Sequence, residues 1–182
     1  MKNNKWVIGL VALLIILGAV SILFYRNYTA SGILWKNGIS KNDIKLISTD
    51  NRYFHHYLYE RNGELAGILT LQRRGESDFW SEYINEKGLY INKNNSPNLD
   101  VIRSISPTVI DHNPVHLPIF GGVVTLGDEK TFSIRAKEEI RQPTVISKVK
   151  EKTYFFFAPT DMTMEDQIEV IFASVSSGSI PR

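Results

Sequence analysis

Hydrophobic residues follow two different patterns along the chain. Over residues 7–25 they form one continuous apolar run, whereas after residue 32 they mostly alternate with polar residues. Nineteen helical residues reach about 28 Å, close to the ~30 Å hydrocarbon core of a bilayer. Alternation with a period of two is typical of half-buried β-strands. The sequence therefore predicts a mainly β protein: an N-terminal transmembrane helix, then an antiparallel β-sandwich or small barrel with at most one or two short helices.

The residues that flank the apolar run indicate its orientation in a membrane. Lys2 and Lys5 precede it, and Trp6 and Tyr25 stand at its ends, where aromatic rings favour the headgroup zone. Because loops rich in lysine stay in the cytoplasm, we expect a single-pass cell-membrane protein with its C-terminal domain outside. The expected segments are a cytoplasmic tail (residues 1–6), an anchor in the lipid bilayer (7–25), a polar tether (26–32) and an extracytoplasmic β-rich domain (33–182).

Two other arrangements of the N-terminal segment stay open. Lys36, Lys41 and Lys45 follow the apolar run and weaken the charge asymmetry, so the domain could also face the cytoplasm. A cleaved signal peptide is the other alternative, although its apolar region normally spans only about 7–15 residues. The length of the run favours a retained anchor.

Residues 53–72 contain the clearest hairpin signal. Asn62-Gly63 separates two alternating segments and is the preferred pair for a two-residue type I′ turn, because both central residues need a positive φ. This turn places Arg61 opposite Glu64, and counting away from it places Phe54 opposite Leu71. The predicted core face carries Phe54, His56, Leu58, Leu65, Leu69 and Leu71, and the predicted half-exposed face carries Tyr53, His55, Tyr57, Tyr59, Ala66, Ile68 and Thr70.

Composition narrows the possible chemistry. The 182 residues include 21 Lys and Arg, 19 Asp and Glu, and no Cys. The sequence therefore offers no disulfide, thiolate nucleophile or Cys-ligated metal site. Three of the basic residues flank the apolar run, so the rest of the chain is near neutral and we expect no nucleic-acid partner. We also expect no cofactor, because the sequence has no Gly-rich phosphate loop or nucleotide fingerprint.

The histidines are the remaining soft metal ligands. His112 and His116 have the spacing that places two ligands on one face of a helix, but Pro114 lies between them and an interior proline breaks a helix. We therefore expect no metal site and interpret both as surface or half-buried residues beside an apolar loop over residues 114–122. Prolines stiffen this loop and its apolar residues, Phe120 among them, are hard to bury. We predict a binding surface there.

A second candidate binding surface is the tyrosine face of the predicted hairpin. Tyr53, Tyr57 and Tyr59 alternate along one strand, and a tyrosine ring offers an apolar surface with a polar tip. The alternative is that these rings simply pack on the sheet.

Residues 104–108, Ser-Ile-Ser-Pro-Thr, resemble the Ser-Met-x-Pro-Thr box of type I signal peptidases, which are also N-terminally anchored, extracytoplasmic and β-rich. The resemblance implies that Ser104 is a nucleophile and that a downstream lysine is its base. It covers five residues, Ile105 replaces the methionine, and the box lies roughly eighty residues beyond the anchor. A turn between two strands explains the same residues.

The overall plan resembles the small, largely uncharacterised, single-pass membrane-anchored extracytoplasmic β-domain proteins of Gram-positive bacteria. We predict a non-enzymatic, membrane-tethered extracytoplasmic domain that binds a protein or an envelope component, with another envelope or membrane protein as the partner. The alternative is a membrane-anchored hydrolase or peptidase that uses Ser104 or a site at His112 and His116.

Overall fold

The fold is mainly β, as predicted. A computed structural model describes residues 5–50, 52–88, 98–110, 113–125, 131–163, 165–166 and 168–173. Within these residues the helices are α1 (Lys5–Tyr28) and α2 (Ala30–Lys36), and the strands are β1 (Ile44–Asp50), β2 (Phe54–Arg61), β3 (Glu64–Arg73), β4 (Trp80–Lys87), β5 (Leu99–Ile110), β6 (Asn113–Thr125), β7 (Thr131–Ala136), β8 (Glu139–Arg141), β9 (Val145–Val149), β10 (Lys152–Phe157) and β11 (Ile168–Ala173).

The described strands form three antiparallel sheets. Sheet I has the order β1-β2-β3-β4, sheet II the order β5-β6-β10-β9, and sheet III the order β11-β7-β8. Sheets I and II stack as a sandwich, in which β1 contacts β9 and β10 while β4 contacts β5. Sheet III packs on the other face of sheet II. Sheet II is therefore a middle layer.

The central strands of sheet II are apolar on both faces. In β10, Tyr154 and Phe156 pack towards sheet I, whereas Phe155 and Phe157 pack towards sheet III. All four side chains are buried. Burying a large apolar side chain contributes about 1.5–3 kcal/mol to the stability of the fold. This short strand therefore stabilises the core on each side of sheet II. Such a position explains why β10 is a continuous aromatic run instead of an alternating one.

A buried carboxylate joins sheets I and II at one end. Glu60 in β2 is 6% exposed, and its Oε1 accepts hydrogen bonds from the Tyr154 hydroxyl at 2.7 Å and from Lys152 Nζ at 2.8 Å. Lys45 Nζ lies 3.8 Å from Oε2 of the same carboxylate. Burial and the hydrogen bond to Glu60 raise the pKa of Tyr154 above its ordinary value of 10.0. The phenol therefore stays protonated and donates to the carboxylate at neutral pH.

The β2–β3 hairpin has the predicted turn. Asn62 and Gly63 have φ values of 54° and 84°, and both are positive as a type I′ turn requires. Arg61 pairs with Glu64 across the turn. The prediction of the turn and of its flanking pair is confirmed.

Beyond the turn, the predicted register of the hairpin is wrong by one residue. A β-bulge leaves Ala66 outside the ladder, so that Phe54 pairs with Gln72 and not with Leu71. A shift of one residue moves every later side chain to the other face of the strand. Leu69 and Leu71 therefore pack with the tyrosines on the outer face of sheet I.

Helix α2 covers that outer face. Its buried residues Ile33 and Leu34 belong to one apolar cluster with Tyr57 and Tyr59. These two tyrosines are only 6% and 1% exposed. The prediction that they lie half exposed is wrong. Residues 30–36, predicted to contain the end of the tether and the start of the domain, form α2 and pack on these tyrosines.

The predicted tether over residues 26–32 lies within the two helices, with a break at Thr29. Thr29 is the N-cap of α2: its Oγ1 accepts a hydrogen bond from Gly32 N at 3.0 Å and donates one to Tyr25 O at 2.8 Å. A Cβ atom on Gly32 would lie 1.9 Å from Tyr25 O. Glycine is therefore required where α2 passes the end of α1, and the joint between the two helices is closely packed.

Residues 114–122, predicted as an apolar loop, lie instead in β6 and pair with β5. The predicted turn at residues 104–108 is likewise the interior of β5. Sheet II tolerates the prolines because β5 is an edge strand and because β10 pairs with β6 only from Phe120 onward, which leaves Pro114 and Pro118 outside that ladder. Phe120 is fully buried in the core between sheets II and III.

Helix α1 carries the apolar run of the sequence. The most apolar 18-residue window of its segment Trp6–Tyr28 has a mean hydropathy of 3.0, and none of that window is buried inside the protein. By length and composition this helix is long and apolar enough to cross a membrane.

Candidate functional site

The predicted binding residues that the structure describes do not come together at one place. Phe120, Tyr57 and Tyr59 are core residues, whereas Tyr53 is 43% exposed. His116 is exposed, and its Nε2 lies 3.4 Å from the hydroxyl of Tyr83 in β4. His112 lies outside the described residues. Tyr59 and Phe120 are therefore inaccessible to a partner, whereas Tyr53 and His116 are exposed.

Ser104, the nucleophile implied by the peptidase resemblance, is buried in β5 at 1% exposure. Among the described residues its Oγ has no hydrogen-bond partner, so no described base reaches it. Proton removal by a contacting base is what activates a serine hydroxyl. The geometry around Ser104 therefore gives no support to its assignment as a nucleophile.

Two residues further along β5, a serine does contact a histidine. Ser106 Oγ lies 3.3 Å from His56 Nε2, and His56 Nδ1 lies 2.9 Å from Thr70 Oγ1. All three residues are buried. His56 and Ser106 line a cavity of about 340 Å³ between sheets I and II. The sequence did not reveal this cluster, because fifty residues separate the serine from the histidine.

A groove of about 840 Å³ lies between α2 and the edge strand β1. We call it the juxtamembrane groove, because Tyr25 forms part of it and belongs to α1, the helix that is long and apolar enough to cross a membrane. Its lining residues are Tyr25, Ala30, Ser31, Leu34, Trp35, Ile39, Ser40, Lys41, Ile44, Lys45, Leu46, Ile47, Tyr57 and Ser147. Small-molecule sites in proteins have volumes of about 300–1,000 Å³ and mostly apolar walls, as this groove does.

The juxtamembrane groove has a one-sided charge distribution. Lys41 and Lys45 are its charged lining residues, and no carboxylate is among them. Lys41 is exposed, whereas Lys45 is half-buried and donates a hydrogen bond to Asn42 O at 2.8 Å. Burial raises the pKa of Tyr57 in the groove wall, so its phenol stays neutral. The groove thus combines an apolar wall with a cationic rim.

Aromatic contacts fix the domain against the end of α1. The ring of Phe79, before β4, lies 5.4 Å from that of Phe24 and 6.4 Å from that of Tyr28. The guanidinium of Arg26 lies 5.5 Å from the ring centre of Trp35 in α2. The groove therefore keeps a fixed position relative to the end of α1.

The sequence does contain the signal for this site. Thr29 is a good N-cap residue before a short apolar segment, and Asn37-Gly38 is a typical helix end, with Gly38 at a φ of 68°. Recognition of these caps would have predicted α2, and with it one wall of the groove.

No cluster of metal-ligating side chains occurs in the part of the chain that the structure describes. Comparisons of the chain with protein-family models, with curated proteins and with solved structures gave no match.

Proposed function

We propose that this protein is a non-enzymatic, membrane-tethered domain that binds an envelope component or another membrane protein outside the cell. In this proposal α1 is a retained anchor in the lipid bilayer and the juxtamembrane groove is the binding site. The observation that carries the proposal is the position of this open, apolar groove directly beside the end of α1.

The packing of the joint supports this assignment. Tyr25 belongs to α1, contacts α2 through Gly32, and also lines the groove. A ligand of the groove would therefore be held at the level where the apolar helix ends. A binding groove is expected to be open in the isolated chain, as this one is. The face of sheet I that was predicted to bind through its tyrosines is instead covered by α2.

Site-specific crosslinking in intact cells tests the groove. A photoreactive benzoylphenylalanine replaces Ile47, which lines the groove at 49% exposure, or Ile140 in sheet III, which is 61% exposed. We expect a defined crosslinked product from the Ile47 position and none from the Ile140 position. Equal products from both positions, or none from Ile47, would contradict the assignment of the groove.

The absence of Cys gives a clean test of orientation. We expect the single thiol of an Ile140→Cys variant to react with a membrane-impermeant maleimide in intact cells, because Ile140 is exposed. Labelling only after permeabilisation would place the domain in the cytoplasm. A protein recovered without α1 would instead indicate a cleaved signal peptide.

The contact between Ser106 and His56 favours hydrolysis as a second candidate function. With the imidazole proton on Nδ1, His56 would donate to Thr70 and accept the Ser106 proton as Oγ attacks an acyl carbonyl. The imidazolium would then protonate the leaving group as its bond to the acyl carbon breaks, and a water molecule would hydrolyse the resulting ester of Ser106. A fluorophosphonate probe tests this reaction: labelling of the full chain that is lost in Ser106→Ala and kept in Ser104→Ala would support it. A chain that stays unlabelled would exclude a serine nucleophile with this reactivity.

A further inference from the structure

We propose that the juxtamembrane groove binds an anionic phospholipid of the membrane in which α1 is anchored. Its acyl chain would lie along Trp35, Ile44 and Ile47, and its phosphate would contact Lys41 and Lys45. This inference rests on the proposed function, because it requires α1 in a bilayer. It adds the chemical class of the ligand.

The position of the groove brings it within reach of lipid. Tyr25 and Trp35 line it, and both are amphipathic rings of the kind that favour the headgroup zone. Helix α1 continues only three residues beyond Tyr25, which is about 4.5 Å of helix. A lipid can therefore enter the groove without leaving the plane of the membrane.

The lining matches an amphiphile with a negative head. Trp35 and Ile47 are exposed apolar residues of the lining, at 61% and 49%, and a hydrocarbon chain can contact them without desolvating a charge. Lys41 and Lys45 supply two ammonium groups, and lysine is a common point-charge partner of phosphate. A zwitterionic lipid would bring a second cation close to these two ammonium groups, so we expect the anionic lipid to bind more tightly.

Charge on the neighbouring edge strands argues against a second copy of the chain as the occupant. β1 and β9 are edge strands that lie beside each other. Lys148 and Lys150 are exposed along the β9 edge, next to Ser147 of the groove. Lysines on an edge strand oppose strand addition, since pairing two such edges brings like charges together.

Photoactivatable lipids in nanodiscs test the inference. The full chain is placed in phosphatidylcholine nanodiscs that contain a diazirine-labelled phosphatidylglycerol or, in parallel, a diazirine-labelled phosphatidylcholine. Chymotrypsin, which cleaves after aromatic residues such as Trp35 and Tyr53, releases the groove peptide for mass spectrometry. We expect at least a three-fold excess of phosphatidylglycerol adducts over phosphatidylcholine adducts on residues 39–47, and equal labelling of α1 by both lipids.

Matched lysine variants separate the groove from general surface charge. Lys41→Gln should lower the phosphatidylglycerol adducts on residues 39–47 towards the phosphatidylcholine level, and addition of Lys45→Gln should remove the excess. Lys148→Gln with Lys150→Gln removes the same charge outside the groove lining and should leave the excess unchanged. Lys41 is exposed, so its substitution tests the rim without disturbing the Glu60 contact of Lys45.

Three outcomes would overturn the inference. These are equal labelling of residues 39–47 by both lipids, an excess that Lys41→Gln leaves intact, and a crosslink between two copies through the groove. If the Ile47 position nevertheless crosslinks a defined protein in cells, the proposed binding function stands and only its lipid ligand is wrong. If Ile47 gives no product of any kind, the binding function fails as well.

Discussion

Removal of one hydroxyl group tests the buried contact between sheets I and II. In the Tyr154→Phe variant the ring stays in the core while the donor to Glu60 is lost. The carboxylate keeps Lys152 at 2.8 Å and Lys45 at 3.8 Å, so it remains paired. The variant therefore isolates the hydrogen bond from the phenol to a buried anion.

The structure indicates a substantial cost. The hydroxyl lies 2.7 Å from Glu60 Oε1, and the carboxylate side chain is 8% exposed, so water cannot easily replace the donor. Hydrogen bonds to charged groups contribute about 1.5–3 kcal/mol. We expect the free energy of unfolding to fall by about that amount. With an m value of about 2 kcal/mol per molar urea, the midpoint should fall by about 0.7–1.5 M.

Urea unfolding of the full chain in detergent micelles, followed by tryptophan fluorescence, measures this change. Tyr53→Phe is the matched control, since it makes the same substitution at a side chain that is 43% exposed. A surface substitution of this kind should change the free energy of unfolding by no more than about 0.5 kcal/mol. A Tyr154→Phe midpoint equal to that of the control would refute the reasoning.

The same variant should alter the response to alkaline pH. Because the pKa of Tyr154 is raised in the folded state, its contribution is complete below pH 10.0 and is lost as the pH rises through the higher folded value. The wild-type chain should therefore lose stability above pH 10 more steeply than Tyr154→Phe, by up to about 1.4 kcal/mol per pH unit. Tyr57 and Tyr59, whose pKa values burial also raises, are present in both proteins and do not affect the difference. Identical slopes would contradict the assigned role of the phenol.

Two further predictions concern the helix joint and the acid response. Gly32→Ala should lower the free energy of unfolding by about 1–3 kcal/mol, because its Cβ would lie 1.9 Å from Tyr25 O. Gly18→Ala, where nothing lies within 4 Å, is the control in the same urea assay, and equal losses would disprove the close joint. The hydrogen bond from Arg141 lowers the pKa of Asp161 to about 2 from 3.8, so its contribution is complete above about pH 4 and lost as the pH falls through 2. Arg141→Gln should flatten the loss of urea stability between pH 4 and 2, and an unchanged slope would show that the pair contributes nothing.

Local signals in the sequence predicted much of the β fold. The alternating segments, the Asn62-Gly63 turn and its flanking charged pair depend on residues close together in the chain, and all of them are present. The bulge at Ala66 was not predictable by counting, since it depends on how sheet I packs against α2 on one face and sheet II on the other. One inserted residue changed the face of Leu69 and Leu71.

The candidate site was much harder to predict from the sequence. The prolines of residues 114–122 predict a loop in which Phe120 is hard to bury, yet these residues lie in β6, in a middle layer that is covered on both faces. The contact of Ser106 with His56 and the groove between α2 and β1 both depend on stacking of distant segments. Hydrophobic periodicity shows that a residue is buried, but it does not show which element buries it.

The close joint at Thr29 and Gly32 has a consequence for the strength of binding. In the proposed anchored state, a groove that moves with α1 would meet the surrounding lipids in two dimensions, at a local concentration far above that of any dissolved ligand. Occupancy then needs only weak intrinsic affinity, and exchange can be rapid. A soluble version of the same domain without the membrane-spanning part of α1 would therefore be expected to lose most of its apparent affinity, although the rest of the groove lining is intact.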